Sequence, residues 1–127
     1  MHIVELFGRI FLSALFLIEG FGKISMQEDV IMYMEDYGVP GILFLPALVV
    51  EILFPLFLIV GYKTKWAALI MALFTFAVAK IFHTDFSEAI QLLFFLKDMA
   101  IAGGFMIIVA YGPGKISLDH YFKSKQE

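Results

Sequence analysis

Four long apolar segments, separated by short polar ones, dominate the pattern of hydrophobic and polar positions along the chain. They cover about residues 3–21, 42–60, 66–82 and 92–111. Each is close to the roughly 20 residues that an α-helix needs to cross a bilayer core. Short connections favour sequential helices that run in opposite directions. We therefore predict an all-α fold: a single domain, residues 1–127, whose four transmembrane helices form a bundle in up-down-up-down order.

The first connecting segment carries a helical pattern of its own. Ser25 and Glu28 have the spacing of a capping box, and Gly38 followed by Pro40 is typical of a helix end. Between them, apolar positions recur at helical intervals, at Val30, Tyr33, Met34 and Tyr37. This pattern predicts a short amphipathic helix at the membrane surface after the first span.

Composition supports a bilayer as the solvent. Hydrophobic residues make up 61% of the chain and the mean hydropathy is +0.91, whereas a soluble domain is about 45–50% apolar. The formal charge of -3 provides no general attraction to nucleic acid or to anionic lipid. The chain has no cysteine, which excludes disulfides, zinc–thiolate sites and iron–sulfur clusters within it.

The remaining metal ligands are sparse. His2, His83 and His120 are predicted to lie on both sides of the membrane, so neither a two-histidine haem site nor a histidine-rich metal site assembles easily. We expect no metal centre.

Basic residues predict the orientation. Lys63 and Lys65 lie in the second connection, and the tail carries Lys115, Lys123 and Lys125. The first and third connections are mainly acidic. Because lysines concentrate on the cytoplasmic side of membrane proteins, both termini should be cytoplasmic.

The first apolar segment contains four charged residues on one face. At about 100° per residue, Glu5, Arg9, Glu19 and Lys23 fall within roughly 80° of arc. Glu5 and Arg9 are four residues apart, as are Glu19 and Lys23, so each pair can meet along the helix surface. We expect this face to point into the bundle, with Glu5 and Arg9 as a structural ion pair.

Other ionisable residues should join the outer part of this face. Glu51 lies about 14 Å into the second span, near the membrane centre. The predicted polar cluster consists of Glu19, Lys23, Glu51, Lys80, His83, Lys97 and Asp98. Two interpretations stay open: polar contacts that specify helix packing, and the wall of a site for a polar or redox-active small molecule.

Several stretches together resemble the DoxX family of small four-helix membrane proteins. The similarity runs through RIFLSALFLIEGFGK, YGVP, VVEILFPLFLIVGYKTKWAALIMALFTFAVAKIFH, LKDMAIAGG and AYGPGKISLD, and so covers nearly the whole chain. The family pattern matches at Arg9, Gly20, Lys23, Gly38, Pro40, Glu51, Gly61, His83, Lys97 and Gly112 to Gly114. Asp98 departs from the pattern, because asparagine commonly follows the lysine there, and it adds a charge to the cluster.

The resemblance implies an inner-membrane protein that works with partner membrane proteins. Relatives are described as subunits or accessories of quinone-linked oxidoreductases, including thiosulfate:quinone oxidoreductase. A chain without cysteine and without an evident haem or flavin motif has nowhere to hold an electron. We therefore do not expect a complete redox enzyme, but a subunit that binds quinone, or a similar lipophilic molecule, non-covalently for a partner oxidoreductase.

Two other functions are also considered. In the first, the chain is a non-catalytic assembly or scaffolding subunit whose buried charges only stabilise the bundle. In the second, it is a small carrier, although the two halves lack the interrupted helix pair that transporters often have. Gly103 and Gly104 favour close helix approach within the bundle or a contact between two copies.

Overall fold

The computed structural model describes residues 2–126, and this part of the chain is all-helical, with no strand. Residues 1 and 127, the ends of the predicted domain, lie outside the described range. The elements are α1 (His2–Ser25), α2 (Gln27–Asp36), a 3₁₀ turn (Gly41–Leu43), α3 (Phe44–Val60), α4 (Thr64–Phe82), α5 (Ala89–Tyr111) and α6 (Leu118–Gln126).

Three segments have the length and apolarity of membrane spans. They are Gly41–Val60, Thr64–Phe82 and Ala89–Tyr111, of 20, 19 and 23 residues. Helix α1 is long enough, with 24 residues, but its charged residues set it apart from these three. The apolar segments predicted over 42–60, 66–82 and 92–111 thus correspond to helices whose bounds differ by up to three residues.

The long helices pack in the order α1, α3, α4, α5. Helix α4 packs most extensively against α5, and α1 and α5 contact each other only sparsely. Alanines on α4 let its neighbours approach closely. The buried core is formed by Phe16, Leu58, Ala67, Ala68, Met71, Ala72 and Phe105. Large apolar side chains also cover much of the outer surface, as expected where lipid rather than water is the surrounding solvent.

The predicted short helix after the first long one is present as α2. It begins after Met26, which has no side-chain oxygen to cap the helix, and the predicted capping box is not formed. Ser25 is instead the last residue of α1, and its hydroxyl donates to the Gly22 carbonyl, 3.0 Å away. Gly38, with φ of 81°, follows its end. The rings of Tyr33 and Tyr37 each lie 5.2 Å from that of Phe82, which holds α2 against the end of α4.

Helix α3 ends at Gly61 for a steric as well as a conformational reason. Gly61 adopts φ of 74°, in the left-handed region that favours glycine. A Cβ at this position would also collide with Ser117 and with the Arg9 guanidinium. The start of α1, the end of α3 and the segment before α6 therefore meet around this glycine.

Candidate functional site

A buried ion pair joins α1 to α3. Lys23 lies in the last turn of α1, and its Nζ donates to Glu51 Oε1 and Oε2 at 3.0 and 2.8 Å. Glu51 is 2% exposed, whereas the Lys23 side chain is 36% exposed. Both carboxylate oxygens are thus bound, and the Lys23 ammonium keeps one donor hydrogen free, because it has three.

Gly20 makes this pair possible by letting the two helices approach. It is buried, and a Cβ there would lie 2.8 Å from Ile52 Cγ1 and 3.5 Å from Glu51 Cγ. Real Cβ atoms do not come as close as the first of these distances, so any larger residue would push α1 away from α3. One turn before Lys23, glycine therefore sets the separation across which the ammonium reaches Glu51.

Pro55 changes the backbone at Glu51. It is buried inside α3, four residues after Glu51. Proline has no N–H, so it cannot donate the helical hydrogen bond that the Glu51 carbonyl would otherwise accept. Glu51 thus contributes a buried carboxylate and, beside it, a carbonyl that lacks its partner within α3.

Two cavities meet at the ion pair. The first, which we call the large cavity, has a volume of about 540 Å³ and lies between α1, α2, α3 and α4. The second, the seam cavity, has a volume of about 380 Å³ and lies where α1 faces α4 and α5. Their shared wall consists of Glu19, Lys23, Glu51, Phe74, Val78 and His83. Apart from this wall, apolar residues line most of the large cavity.

His83 links the shared wall to α5. Its Nδ1 lies 3.1 Å from Gln91 Oε1, and its Nε2 lies 3.7 Å from Asp98 Oδ2. This second contact is too long for a hydrogen bond, and Asp98 Oδ2 has no hydrogen-bond partner among residues 2–126. A small movement of the imidazole would bring Nε2 and Oδ2 within hydrogen-bond distance at the edge of the seam cavity.

Tyr33 contributes a second kind of polar group to the large cavity. Its ring stacks on Phe82, and the residue lines the cavity from α2. Burial, together with the neighbouring Tyr37 hydroxyl, raises the pKa of Tyr33 to about 12. Its phenol is therefore neutral at physiological pH and can donate a hydrogen bond.

The structure brings six of the seven predicted cluster residues to these cavities. Glu19 is exposed but lines both, and exposed Lys97 and half-buried Asp98 line the seam cavity. Lys80 is the exception: it is exposed and lies outside both cavities. His83 and Lys80 both lie near the end of α4, but only His83 lines the cavities.

Arg9 has partners other than the one predicted. Its Nη1 donates to the Leu58 carbonyl at 3.0 Å and its Nη2 donates to the Ile116 carbonyl. In the described part of the chain, no Glu5 oxygen lies within 4.0 Å of its nitrogens. The predicted Glu5–Arg9 ion pair is therefore not formed, because the buried guanidinium reaches across to α3 while Glu5 stays exposed against Gly114. Lys23 likewise binds a group on α3, the Glu51 carboxylate, and not Glu19 on its own helix.

Sequence reasoning missed Asp119, which completes the arrangement around Arg9. Its Oδ1 accepts from the Lys63 amide at 2.7 Å, and its Oδ2 accepts from the Thr64 amide and hydroxyl at 2.8 and 2.7 Å. Its own amide donates to the Gly61 carbonyl at 2.9 Å. Asp119 thus caps the start of α4 from a distant part of the chain. We call Arg9, Leu58, Thr64, Ile116 and Asp119 the Arg9 network.

Comparisons with known proteins agree on one family. The sequence model described as DoxX matches residues 4–84. The chain is 36% identical over 120 residues to the inner membrane protein YqjF of Escherichia coli (strain K12), covering 94% of this chain and 92% of the relative. It is 29% identical over 124 residues to the inner membrane protein YphA of the same organism, covering 92% and 89%. No solved structure matches significantly.

Proposed function

This chain belongs to the DoxX family of membrane proteins, and we propose that it is an inner-membrane subunit that binds quinone, or a similar lipophilic molecule, for a partner oxidoreductase. The observation that carries the proposal is the position of Glu51: a nearly inaccessible carboxylate, bound to Lys23, in the wall shared by two cavities.

The proposed topology has α1 as a fourth span. At 24 residues it is about 36 Å long, enough for a bilayer core of about 30 Å. Arg9, early in α1, contacts Leu58 late in α3, and Lys23, late in α1, contacts Glu51 nearer the start of α3. These contacts support opposite directions for the two helices, as in an up-down-up-down bundle. The lysine distribution supports cytoplasmic termini.

The large cavity suits a ring with two carbonyl oxygens. The remaining Lys23 hydrogen and the Tyr33 hydroxyl are donors on its wall, and His83 is a third group that can donate. Apolar residues of α3 and α4 would surround the ring and the start of an isoprenoid tail. About 540 Å³ is within the range of small-molecule sites, which is about 300–1,000 Å³.

Electrons and protons would reach the quinone by different routes. Reduction to the quinol takes two electrons, which the partner oxidoreductase would supply, and two protons, one for each oxygen. Glu51 and the His83–Asp98 pair are the groups in contact with the cavities that can transfer protons.

The test is the quinone content of the purified chain. The full chain is extracted from its native membrane in mild detergent, and bound quinone is quantified by organic extraction and mass spectrometry. Glu51→Gln should lower the quinone content at least tenfold, which corresponds to about 1.4 kcal/mol of binding free energy. Glu88→Gln is the matched control, because Glu88 is an exposed carboxylate outside both cavities.

Two outcomes would contradict quinone binding. One is wild-type protein without quinone, and the other is equal quinone in wild type and Glu51→Gln. If Glu51→Gln lowers only thermal stability while the chain still assembles with its partner, the scaffolding function is supported instead. The Arg9 network is the observation that favours this second candidate, because its buried cation has a purely structural arrangement.

A further inference from the structure

The net charge of -3 conceals a strong separation of charge between the two ends of the molecule. The end that carries α2 and the α4–α5 connection exposes six carboxylates, at Glu28, Asp29, Glu35, Asp36, Asp85 and Glu88. The opposite end carries five exposed lysines, at Lys63, Lys65, Lys115, Lys123 and Lys125. We call these five lysines the basic face.

Specific contacts bring the basic face together from two distant parts of the chain. Asp119 ties the tail to the α3–α4 connection, through the amides of Lys63 and Thr64 and the carbonyl of Gly61. Arg9 binds the Ile116 carbonyl just before α6. The tail lysines and the connection lysines therefore lie at one end of the bundle in a fixed arrangement.

The carboxylates at this end do not neutralise the lysines. Asp119 is bound by the start of α4, and the Glu5 carboxylate lies against Gly114. Within residues 2–126, no carboxylate oxygen lies within 4.0 Å of any of the five ammonium groups. Among the described residues, the basic face thus has no counter-ion at contact distance, which leaves it available to anions from outside.

Exposed aromatic residues accompany the lysines. Trp66, Tyr111 and Tyr121 are 70%, 85% and 50% exposed. Along α6, Leu118, Tyr121 and Phe122 recur at helical spacing, and Lys125 Nζ lies 5.0 Å from the centre of the Tyr121 ring. Tryptophan and tyrosine are typical of the membrane–water interface, and lysines beside an amphipathic helix favour anionic headgroups.

We propose that the basic face binds the phosphate groups of anionic phospholipids, with α6 lying along the headgroup region. Charge complementarity favours this occupant, because the five ammonium groups lie at the headgroup region, where a bilayer presents its phosphates. The aromatic rings beside the lysines are typical of the same region. The inference is independent of quinone binding, because none of the five lysines lines the large cavity or the seam cavity.

The test is lipid selectivity of the full chain. Detergent-purified protein is equilibrated with equal amounts of phosphatidylglycerol and phosphatidylcholine, and retained lipids are counted by native mass spectrometry. We expect wild type to prefer phosphatidylglycerol, and Lys123→Gln/Lys125→Gln to lower that preference roughly 10- to 30-fold. Raising the salt concentration should weaken the preference as well.

The matched control is the single variant Lys80→Gln, compared with the single variant Lys125→Gln, because Lys80 is an exposed lysine at the other end and lines neither cavity. Lys80→Gln should retain the wild-type preference, whereas Lys125→Gln should lower it. Equal retention of the two lipids by wild type would overturn the proposal, and so would an equal loss in the two single variants, because net charge alone would then explain the binding. Circular dichroism of each variant verifies that the helices are intact.

Discussion

Helix α1 contains two basic residues, Arg9 and Lys23, about 21 Å apart along its axis. They differ in the kind of group that they bind. Arg9 is buried and donates to two backbone carbonyls, although it also lines a separate cavity of about 400 Å³. Lys23 instead binds one side chain, Glu51, in the wall shared by the large cavity and the seam cavity. The first arrangement has fixed partners in the main chain. The second has an ionisable side chain as its partner.

The difference separates a structural charge from one available for binding. Main-chain carbonyls do not titrate, and they move only if the fold moves, so the Arg9 network holds α1, α3 and the tail in one geometry. Intramembrane ionisable groups are costly, and an ionisable pair in a cavity wall is by default a candidate binding site. The comparison therefore favours a structural role for the Arg9 network and supports the proposed binding role of the Lys23–Glu51 pair.

The largest effect should come from Arg9→Gln. The Leu58 and Ile116 carbonyls would lose their donor, and each stranded carbonyl costs about 1–3 kcal/mol. We expect the free energy of unfolding to fall by about 2–6 kcal/mol, measured by SDS titration in mixed micelles. Lys115→Gln, an exposed cation nearby, is the control and should change it by at most about 0.5 kcal/mol. A similar small change for Arg9→Gln would remove the distinction between the two cations.

Lys23→Gln should have the next largest effect, and it should be reversible by a second substitution. Alone, it leaves Glu51 buried without its cation; cavity water and protonation of Glu51 reduce the cost to about 2–3 kcal/mol, below the about 3–5 kcal/mol of a fully buried pair. Adding Glu51→Gln should restore stability to within about 1 kcal/mol of wild type. A double-mutant cycle by SDS titration measures this coupling. Additive losses would mean that the two side chains do not interact.

Gly20→Ala should have an intermediate effect on both stability and binding. The added methyl group must displace Ile52, which should cost about 1–2 kcal/mol and lengthen the Lys23–Glu51 contact. Gly22→Ala, in the same turn, has open space around the new methyl group and should be neutral or stabilising by about 0.5–1 kcal/mol. Thermal unfolding of the two variants measures this difference in stability. Equal stabilities would mean that α1 and α3 do not approach closely at Gly20.

Asp119→Asn should weaken the Arg9 network modestly. The amide oxygen can still accept one or two of the three hydrogen bonds, but without the charge that strengthens them. We expect a loss of about 1 kcal/mol. Asp36→Asn, at the end of α2, should not destabilise the protein, because removing an acid there relieves the helix dipole. A loss in the Asp36 variant equal to that in the Asp119 variant would argue against the cap.

Lys80→Gln should have the smallest effect. The side chain is exposed and lines neither the large cavity nor the seam cavity, so unfolding free energy should stay within about 0.5 kcal/mol of wild type and quinone content should be unchanged. Parallel measurements on Lys97→Gln sharpen the result, because Lys97 is also exposed but lines the seam cavity. Loss of ligand in the Lys80 variant would mean that the site extends beyond the two cavities.

Apolar periodicity was sufficient to predict the long helices and α2. Runs of apolar residues long enough for a bilayer leave few alternatives, and the predicted ends lie close to those of α3, α4 and α5. The tail was harder, because α6 has only nine residues and mixed polarity, so its sequence did not define a helix. The capping box predicted from the spacing of Ser25 and Glu28 was wrong, because Ser25 ends α1 and Met26 is the N-cap of α2.

The candidate site could be predicted in membership but not in pairing. Helical spacing correctly put Arg9 and Lys23 on one inward face of α1, yet it gave each the wrong partner, because spacing within one helix carries no information on neighbouring helices. The cavities and the close approach at Gly20 depend on packing between helices. Asp119 did leave a signal, an aspartate at the start of a short helix after GPG, but its target, the start of α4, is more than 50 residues away.

The most direct test of the comparison is the quinone content of Lys23→Gln/Glu51→Gln, measured together with its stability. The account predicts that the free energy of unfolding of this double variant lies within about 1 kcal/mol of the wild-type value. Its quinone content should be at least tenfold lower than that of wild type. A double variant that is as stable as wild type and still carries the wild-type amount of quinone would contradict the assignment of this ion pair to ligand binding.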